Sequence, residues 1–138
     1  MISVCTNACW AIGEIAVTSQ SSEVHREALS PHLSEIFQRV AALLSQQKLN
    51  RTLAQNLACA MGRLVLVSPH LLSDATMQGI MKQWCLSLRM LKDPNEKESA
   101  YRGFCSVLPV SVKAVTENFP FLCSCFSNYK QPPADLEQ

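Results

Sequence analysis

Residues 7–15 read Asn-Ala-Cys-Trp-Ala-Ile-Gly-Glu-Ile, and residues 56–64 read Asn-Leu-Ala-Cys-Ala-Met-Gly-Arg-Leu. The two stretches align at an offset of 49 residues, and a third, Ala-Tyr-Arg-Gly-Phe-Cys at 100–105, follows 41 residues later. Three of the four glycines therefore recur at one position of a repeated helix. Because a mid-helix glycine costs about 1 kcal/mol relative to alanine, its recurrence indicates close approach of neighbouring helices or of a ligand.

The spacing of the apolar residues is helical almost throughout the chain. One such stripe steps along a single helix face and consists of Leu33, Ile36, Phe37, Val40, Leu43 and Leu44. No stretch of four or more residues alternates convincingly between apolar and polar side chains. The sequence therefore predicts an all-α fold.

Turn and helix-ending residues interrupt the pattern and divide the chain into six helices. The predicted helices lie at about 2–17, 24–46, 51–67, 73–91, 96–107 and 112–129, and Pro120 is expected to kink or break the last of them. Residues 1–129 then form one segment, and residues 130–138 form a polar tail. Short connections between helices, with repeats of about 40–47 residues, are typical of HEAT or armadillo arrays. We expect a HEAT-type α-solenoid segment of about two and a half helical-hairpin repeats.

Charge and composition exclude several classes of protein. Twelve Lys and Arg residues oppose eleven Asp and Glu residues, and a net charge of +1 does not fit a protein that binds nucleic acid by neutralising phosphates. We find no signal peptide and no apolar run of the ~20 residues that a membrane span needs, so we expect an intracellular chain without a membrane contact. The three histidines fall on different predicted segments, and no motif supports catalysis or a cofactor. An enzyme is not expected.

Seven cysteines are present, and an odd number cannot pair completely within one chain. Cys5 with Cys9, and Cys123 with Cys125, are close enough in sequence for a metal site or a redox pair. None of the seven falls at a zinc-ribbon spacing, and cysteine in an apolar helix commonly serves as a small buried hydrophobe. We therefore assign no metal, and a redox or metal sensor remains a minor alternative.

The helical wheel of the first helix separates a core face from Trp10. Cys5, Ala8, Ile12 and Ile15 cluster on one side and are predicted to be buried, like their equivalents at 54, 57, 61 and 64. Trp10 points about 180° away from that cluster, at 100° per residue, whereas Trp84 lies within an apolar stripe. Either a neighbouring repeat covers Trp10, or its ring is a stacking platform on a concave surface.

Asn56 lies on the flank of the equivalent helix in the next repeat. Its amide offers both a donor and an acceptor and could hydrogen-bond the backbone of an extended peptide. The alternative is that a neighbouring residue or solvent satisfies the amide.

Four motifs identify a family. They are Asn-Ala-Cys-Trp-Ala-Ile-Gly-Glu-Ile at 7–15, Ala-Met-Gly-Arg-Leu at 60–64, Gln-Trp-Cys-Leu-Ser-Leu-Arg at 83–89 and Glu-Lys-Glu-Ser-Ala-Tyr-Arg-Gly-Phe-Cys at 96–105. In order and spacing they resemble the transportins, the karyopherin-β2 branch of the importin-β family, in the C-terminal part of the HEAT superhelix. The resemblance covers about residues 2–106 and becomes a pattern of apolar residues beyond 107.

The resemblance implies a nuclear import receptor that binds cargo proteins through nuclear localisation signals of the Pro-Tyr type. It implies cargo-facing positions at Ile2, Thr6, Trp10, Asn56 and Cys59, with Trp10 stacking on the peptide. Thr6 stands where the family usually has Asn, and Cys59 where an aliphatic residue is expected. The full-length receptor would also engage the Ran GTPase and nucleoporins and would shuttle between cytoplasm and nucleus.

The length of the chain sets a second expectation. About two and a half repeats are too few to grip both cargo and Ran, so we expect a piece of a longer superhelix. A structural α-solenoid segment without cargo binding is the alternative function. Solenoid ends without polar caps tend to associate or fray, so we expect self-association, or weak protection at residues 1–17 and 112–130.

Overall fold

The computed structural model describes residues 2–136, which form α-helices and short 3-10 turns without a strand. The prediction of an all-α solenoid segment is confirmed. The helices are α1 (Ile2–Gln20), α2 (Glu23–Leu44), α3 (Arg51–Val67), α4 (Asp74–Leu88), α5 (Pro94–Val107), α6 (Val112–Glu117) and α7 (Phe119–Ser127). Within the described part, none of these helices is long and apolar enough to cross a membrane.

Side-chain caps explain where four of the helices begin. Ser22, Asn50, Ser73 and Asp93 each accept a hydrogen bond from a backbone N–H in the first turn of α2, α3, α4 and α5. Such caps satisfy donors that the helix itself leaves free, and each contributes about 1 kcal/mol. Helix α5 therefore begins at Pro94, slightly before the predicted residue 96.

The helices stack in two layers. Helices α1, α3 and α5 pack side by side in the first layer, while α2, α4 and the α6–α7 pair form the second. The core between the layers contains Trp84, whose indole N–H donates to the Ala58 carbonyl at 3.0 Å, and Phe104, whose ring meets Trp84 edge-on. Helix α3 lies in the centre, and both its flanks are covered.

Two of the repeated glycines bring α3 and α5 into backbone contact. A Cβ on Gly103 would lie 2.8 Å from the Gly62 Cα, and a Cβ on Gly62 would lie 2.8 Å from the Ala100 Cα. Real Cβ atoms do not approach this closely, so only glycine fits at either position. The expectation that the recurring glycine marks a close approach of helices is confirmed for this pair.

The predicted core face of α1 is wrong. Ala8 and Ile15 are exposed, Cys5 and Ile12 are half-buried, and the buried residues are Cys9, Gly13, Ala16 and Ser19. The physical reason is the contact with α3, which admits small side chains and turns the larger aliphatic ones outward. The matching prediction for Ala54, Leu57, Met61 and Leu64 in α3 is confirmed, since all four are buried.

The segment predicted as a helix over 112–129 is divided into two helices next to Pro120. Helix α6 ends at Glu117, and α7 begins at Phe119 with Pro120 in its first turn. Proline lacks an N–H and its ring clashes with the carbonyl four residues earlier, so the helix breaks where it was expected to kink or break. The first helix is longer than predicted and reaches Gln20, while α4 ends at Leu88 rather than at 91.

The C-terminal segment packs against the stack. Arg102 of α5 forms an ion pair with Asp135, and its guanidinium also donates to Glu98 at 2.8 Å. Leu136 packs against the core, and the Lys97 ammonium lies 4.8 Å from the centre of the Tyr129 ring. Although polar in composition, the described part of the predicted tail therefore partly covers the C-terminal end of the solenoid.

Low pH should detach the C-terminal segment from the helix stack. Hydrogen bonds from Arg102 lower the pKa of Asp135 below its ordinary value. A carboxylate with a lowered folded-state pKa contributes stability that is present above the unfolded value and is lost as pH falls through the folded value. We expect the NMR methyl signals of Leu136 to shift with a midpoint below the ordinary pKa of about 3.9.

The Asp135→Asn variant should show the acid-released signals already at neutral pH, whereas Glu117→Gln, which removes a long surface ion pair with Lys113, should leave the transition unchanged. A midpoint at or above the ordinary carboxylate value in the unsubstituted chain would contradict the proposed contact.

Candidate functional site

The Trp10 ridge, defined as Ile2, Thr6 and Trp10, runs along α1 at intervals of one turn. Trp10 is 52% exposed, Ile2 is exposed and Thr6 is half-buried. The Thr6 hydroxyl donates to the Ile2 carbonyl at 2.8 Å, so it is turned toward its own helix. The ridge therefore presents an aromatic ring and an aliphatic side chain to solvent.

Asn56 of α3 joins this ridge. Its side-chain N–H donates to the Thr6 carbonyl at 2.9 Å, across the contact between α1 and α3. The sequence left open whether the amide faces a peptide or a neighbour, and in the structure the amide nitrogen serves a neighbour. The bond places Asn56 beside the middle of the Trp10 ridge.

Cys59 lies deeper than the other predicted site residues. It is buried, and its thiol donates to the Glu96 carbonyl at 3.7 Å. Burial raises the pKa of Cys59 to about 12, so the thiol is neutral at physiological pH. Cys59 therefore acts as a small apolar side chain between α3 and α5 and not as a nucleophile.

A narrow crevice beside the Trp10 ring connects these residues. Small side chains line its floor, and Glu96 reaches it from α5. The lining residues are Cys9, Trp10, Gly13, Asn56, Cys59, Ala60, Arg63 and Glu96. The predicted residues Trp10, Asn56 and Cys59 thus share one surface, whereas Ile2 and Thr6 extend it along α1.

A polar groove continues this surface between α3 and α5. Its volume is about 290 Å³. The groove is lined by Arg51, Thr52, Gln55, Asn56, Leu91, Lys92, Asp93 and Glu96. The Gln55 amide donates to the Met90 carbonyl at 2.5 Å, and the Asp93 carboxylate caps α5. The surface therefore changes from aromatic at α1 to charged at α5.

Sequence reasoning missed Glu96 and Gln55. Acidic residues at the start of a helix complement the helix dipole, and Asp93 is the N-cap of α5, so the pattern at 93–98 is explained without a binding role. Glu96 also faces the crevice because α5 packs against α3 at Gly62 and Gly103. Glu96 occupies, in the next repeat, a position equivalent to the region around Asn56. This equivalence is the signal that could have identified Glu96 from the sequence.

Most of the cysteines are buried. Cys9, Cys59, Cys85 and Cys125 are buried, Cys5 and Cys105 are half-buried, and Cys123 is exposed. Burial and the neighbouring Cys5 raise the pKa of Cys9 to about 11. Within residues 2–136, no three metal-ligating side chains come together.

No protein-family model matches the chain. Over 135 residues the chain is 33% identical to Transportin-1 of Homo sapiens, and the match covers 98% of this chain and 14% of that protein. It is 30% identical to Transportin of Dictyostelium discoideum and 28% identical to Importin subunit beta-2 of Schizosaccharomyces pombe, with the same two coverages. The chain thus spans about one-seventh of the length of these relatives.

Proposed function

The chain is homologous over nearly its whole length to a segment of the transportins, and from this premise we propose that it is part of a nuclear import receptor. In this proposal the segment binds the nuclear-localisation signals of cargo proteins. The binding surface comprises the Trp10 ridge, Asn56 and Cys59, which belong to two neighbouring first-layer helices.

The exposed ring of Trp10 is the observation that carries the proposal. Tryptophan is large and apolar, and a ring 52% exposed beside a crevice has an unsatisfied apolar face. An extended peptide that stacks on this ring would bury apolar surface worth about 25 cal/mol per Å². The peptide class that the family resemblance implies is the Pro-Tyr type, whose rings and aliphatic groups suit such a surface.

The charged groove between α3 and α5 adds a second contact. Glu96 and Asp93 offer carboxylates, and Arg51 and Lys92 offer cations, at one end of the same surface. Basic residues in the cargo signal would face the carboxylates. Such charge pairing would set the orientation of the bound peptide more than it would raise the affinity.

The remaining parts of the proposal concern the longer receptor. Ran and nucleoporins would be partners through other repeats, and the receptor would shuttle between cytoplasm and nucleus. In this proposal the function is binding and not catalysis: the relatives carry the names transportin and importin, and the buried Cys59 thiol and the capping Asp93 already have structural roles.

Tryptophan fluorescence tests the proposal. Trp84 is fully buried, so a basic Pro-Tyr signal peptide added to the chain should change the emission of Trp10 alone. Because Trp10 is itself the reporter, binding by the Trp10→Ala variant is measured by calorimetry, and its affinity for the peptide should be at least about tenfold weaker, as expected for an aromatic hot spot. The control Val24→Ala alters an apolar side chain on α2 that is 73% exposed, more than Trp10, and this variant should bind like the unsubstituted chain.

A second candidate function is a structural solenoid segment that binds no cargo. It is favoured by the Asn56 amide, whose nitrogen is engaged by α1, and by the burial of Cys59. The peptide titration separates the two functions, because a structural segment would give no change in Trp10 emission at millimolar peptide. Replacing Trp84 with Phe in the same experiment removes the buried fluorophore and leaves Trp10 as the single reporter.

A further inference from the structure

Two buried cysteines from different helices lie side by side in the second layer. Cys85 of α4 is 1% exposed, and Cys125 of α7 is fully buried. The Cys85 thiol donates a hydrogen bond to the Cys125 sulfur. The pair differs from the two that are close in sequence: Cys5 and Cys9 belong to one helix, and Cys123 is exposed while Cys125 is buried. A bond between Cys85 and Cys125 would therefore join two helices that are distant in sequence.

Contacts on both sides of this pair hold α4 against α7. The Lys82 ammonium lies 4.9 Å from the centre of the Phe121 ring. The Arg89 guanidinium donates to the Ser124 hydroxyl at 3.1 Å. At 3.6 residues per turn, Lys82 and Arg89 lie about one turn before and one turn after Cys85 on α4. The positions of the two thiols are therefore determined by the contact between the helices and not by one side-chain rotamer.

Tyr101 of α5 completes the surroundings of Cys125. The Tyr101 hydroxyl donates to the Cys125 carbonyl at 2.9 Å and accepts a hydrogen bond from the Cys125 thiol at 3.2 Å. The hydrogen bond from Cys85 lowers the pKa of Cys125, although burial opposes this effect. A thiol that ionises more readily is more open to oxidation, because the thiolate is the nucleophile. Cys125 is therefore the member of the pair that an oxidant reaches chemically first.

We propose that Cys85 and Cys125 form a reversible disulfide when the chain meets hydrogen peroxide, and that this bond ties α7 to α4. The Cys125 sulfur attacks one oxygen of the peroxide and becomes a sulfenic acid, while the other oxygen leaves as water. The Cys85 sulfur then attacks the Cys125 sulfur, the S–O bond breaks, and a second water leaves. The two thiols thus lose two electrons and two protons, and the peroxide is reduced to two waters.

Local opening of α7 would admit the peroxide. Helix α7 runs only from Phe119 to Ser127, and the chain breaks at Asn118 between α6 and α7. A short helix next to a break opens at a lower free energy than the long helices of the stack. The disulfide would oppose this opening, because it removes freedom from the detached state of α7. Helices α4 and α7 do not carry the Trp10 ridge, so the inference is independent of cargo binding.

Peptide mapping of the Cys123→Ser variant tests which thiols join, because this substitution removes the exposed thiol next to Cys125. Trypsin cuts after lysine and arginine and releases Cys85 in residues 83–89 and Cys125 in residues 114–130. In this variant each fragment contains a single cysteine. After treatment with hydrogen peroxide, alkylation of the remaining thiols and digestion without reductant, mass spectrometry should find the two fragments joined. Dithiothreitol should separate them.

Amide hydrogen exchange measures the effect of the bond on α7. In the oxidised chain the amides of α7 should exchange at least about tenfold more slowly than in the reduced chain, whereas those of α1 should not change. Cys85→Ala should abolish both the joined fragments and the slower exchange, and Cys125→Ala repeats the test if circular dichroism shows the first variant to be unfolded. Cys105→Ala, which removes a half-buried thiol of α5, is the matched control and should keep both effects.

Three results would each overturn the proposal. The first is a link from residues 114–130 to the Cys105 fragment in place of the Cys85 fragment. The second is the absence of joined fragments after a peroxide treatment that oxidises Cys105. The third is unchanged exchange in α7 once the Cys85–Cys125 link has formed.

Discussion

Replacing Gly103 with Ala is expected to lower the free energy of unfolding by about 3 kcal/mol or more, a large cost for overpacking. The new Cβ would lie 2.8 Å from the Gly62 Cα and still closer to the Gly62 carbonyl. Both neighbours are backbone, so no side-chain rotation relieves the contact, and α3 and α5 must move apart. That movement would also loosen the edge-on contact between Trp84 and Phe104.

Two other glycines provide matched controls for the same chemical change. A Cβ on Gly79 meets nothing within 4 Å, so Gly79→Ala should stabilise α4 by about 0.5–1 kcal/mol through helix propensity alone. At Gly13 the nearest atom is the Arg63 Nη1 at 3.3 Å, and a side chain can shift, so the effect should be small.

Urea unfolding followed by circular dichroism would measure the three variants. The expected order of stability places Gly79→Ala above the unsubstituted chain, Gly13→Ala near it and Gly103→Ala far below it. A Gly103→Ala variant within about 0.5 kcal/mol of the unsubstituted chain, the usual range for surface substitutions, would show that α3 and α5 do not meet at these glycines.

The second large effect is expected at Arg63, which links all three first-layer helices. Its side chain is 6% exposed, and it donates to the Glu14 carboxylate of α1 at 2.5 Å and to the Ser99 hydroxyl of α5 at 2.9 Å. Arg63→Ala removes both bonds and leaves a space between the helices. We expect a loss of about 2–4 kcal/mol from the lost hydrogen bonds and packing.

Removal of Arg63 and removal of Glu14 should differ in their effect on stability. Glu14 is 44% exposed, so when Arg63 is removed its carboxylate can be hydrated, whereas removal of Glu14 leaves the buried guanidinium without a counter-charge. Arg63→Met keeps the volume without the charge and should cost less than about 1.5 kcal/mol, because the Glu14 carboxylate that remains is exposed enough to be hydrated.

A double-mutant cycle checks this account. The coupling between Arg63→Met and Glu14→Ala should be about 1–3 kcal/mol, in the range measured for contacting residues. Hydrogen exchange should become faster in α1 in the Glu14→Ala variant, because the ion pair is one of the contacts that tie α1 to α3. A coupling near zero would mean that Arg63 stabilises the stack through packing and its bond to Ser99, and not through the ion pair with Glu14.

The candidate site was only partly accessible to sequence reasoning. The α1 wheel placed Trp10 away from the predicted core face and left open whether a neighbouring repeat covers its ring, and the structure places the ring half in solvent. The involvement of Glu96 and Gln55 depends on how α5 lies against α3, and this follows from contacts between residues about 40 positions apart. A wheel for a single helix does not contain that information.

The sequence by itself determined the helices, their order and the repeat, because apolar periodicity, caps and proline act within a few residues of one another. Only the tertiary structure decided which face of α1 is buried and where the final helix ends against the stack. Hydrophobicity pointed to Ile12 and Ile15, but close packing against α3 selected Cys9, Gly13 and Ala16, since small side chains allow helix axes to approach. The same contact holds Asn56 beside Thr6, so the position of the proposed cargo-binding surface depends on packing between helices distant in sequence.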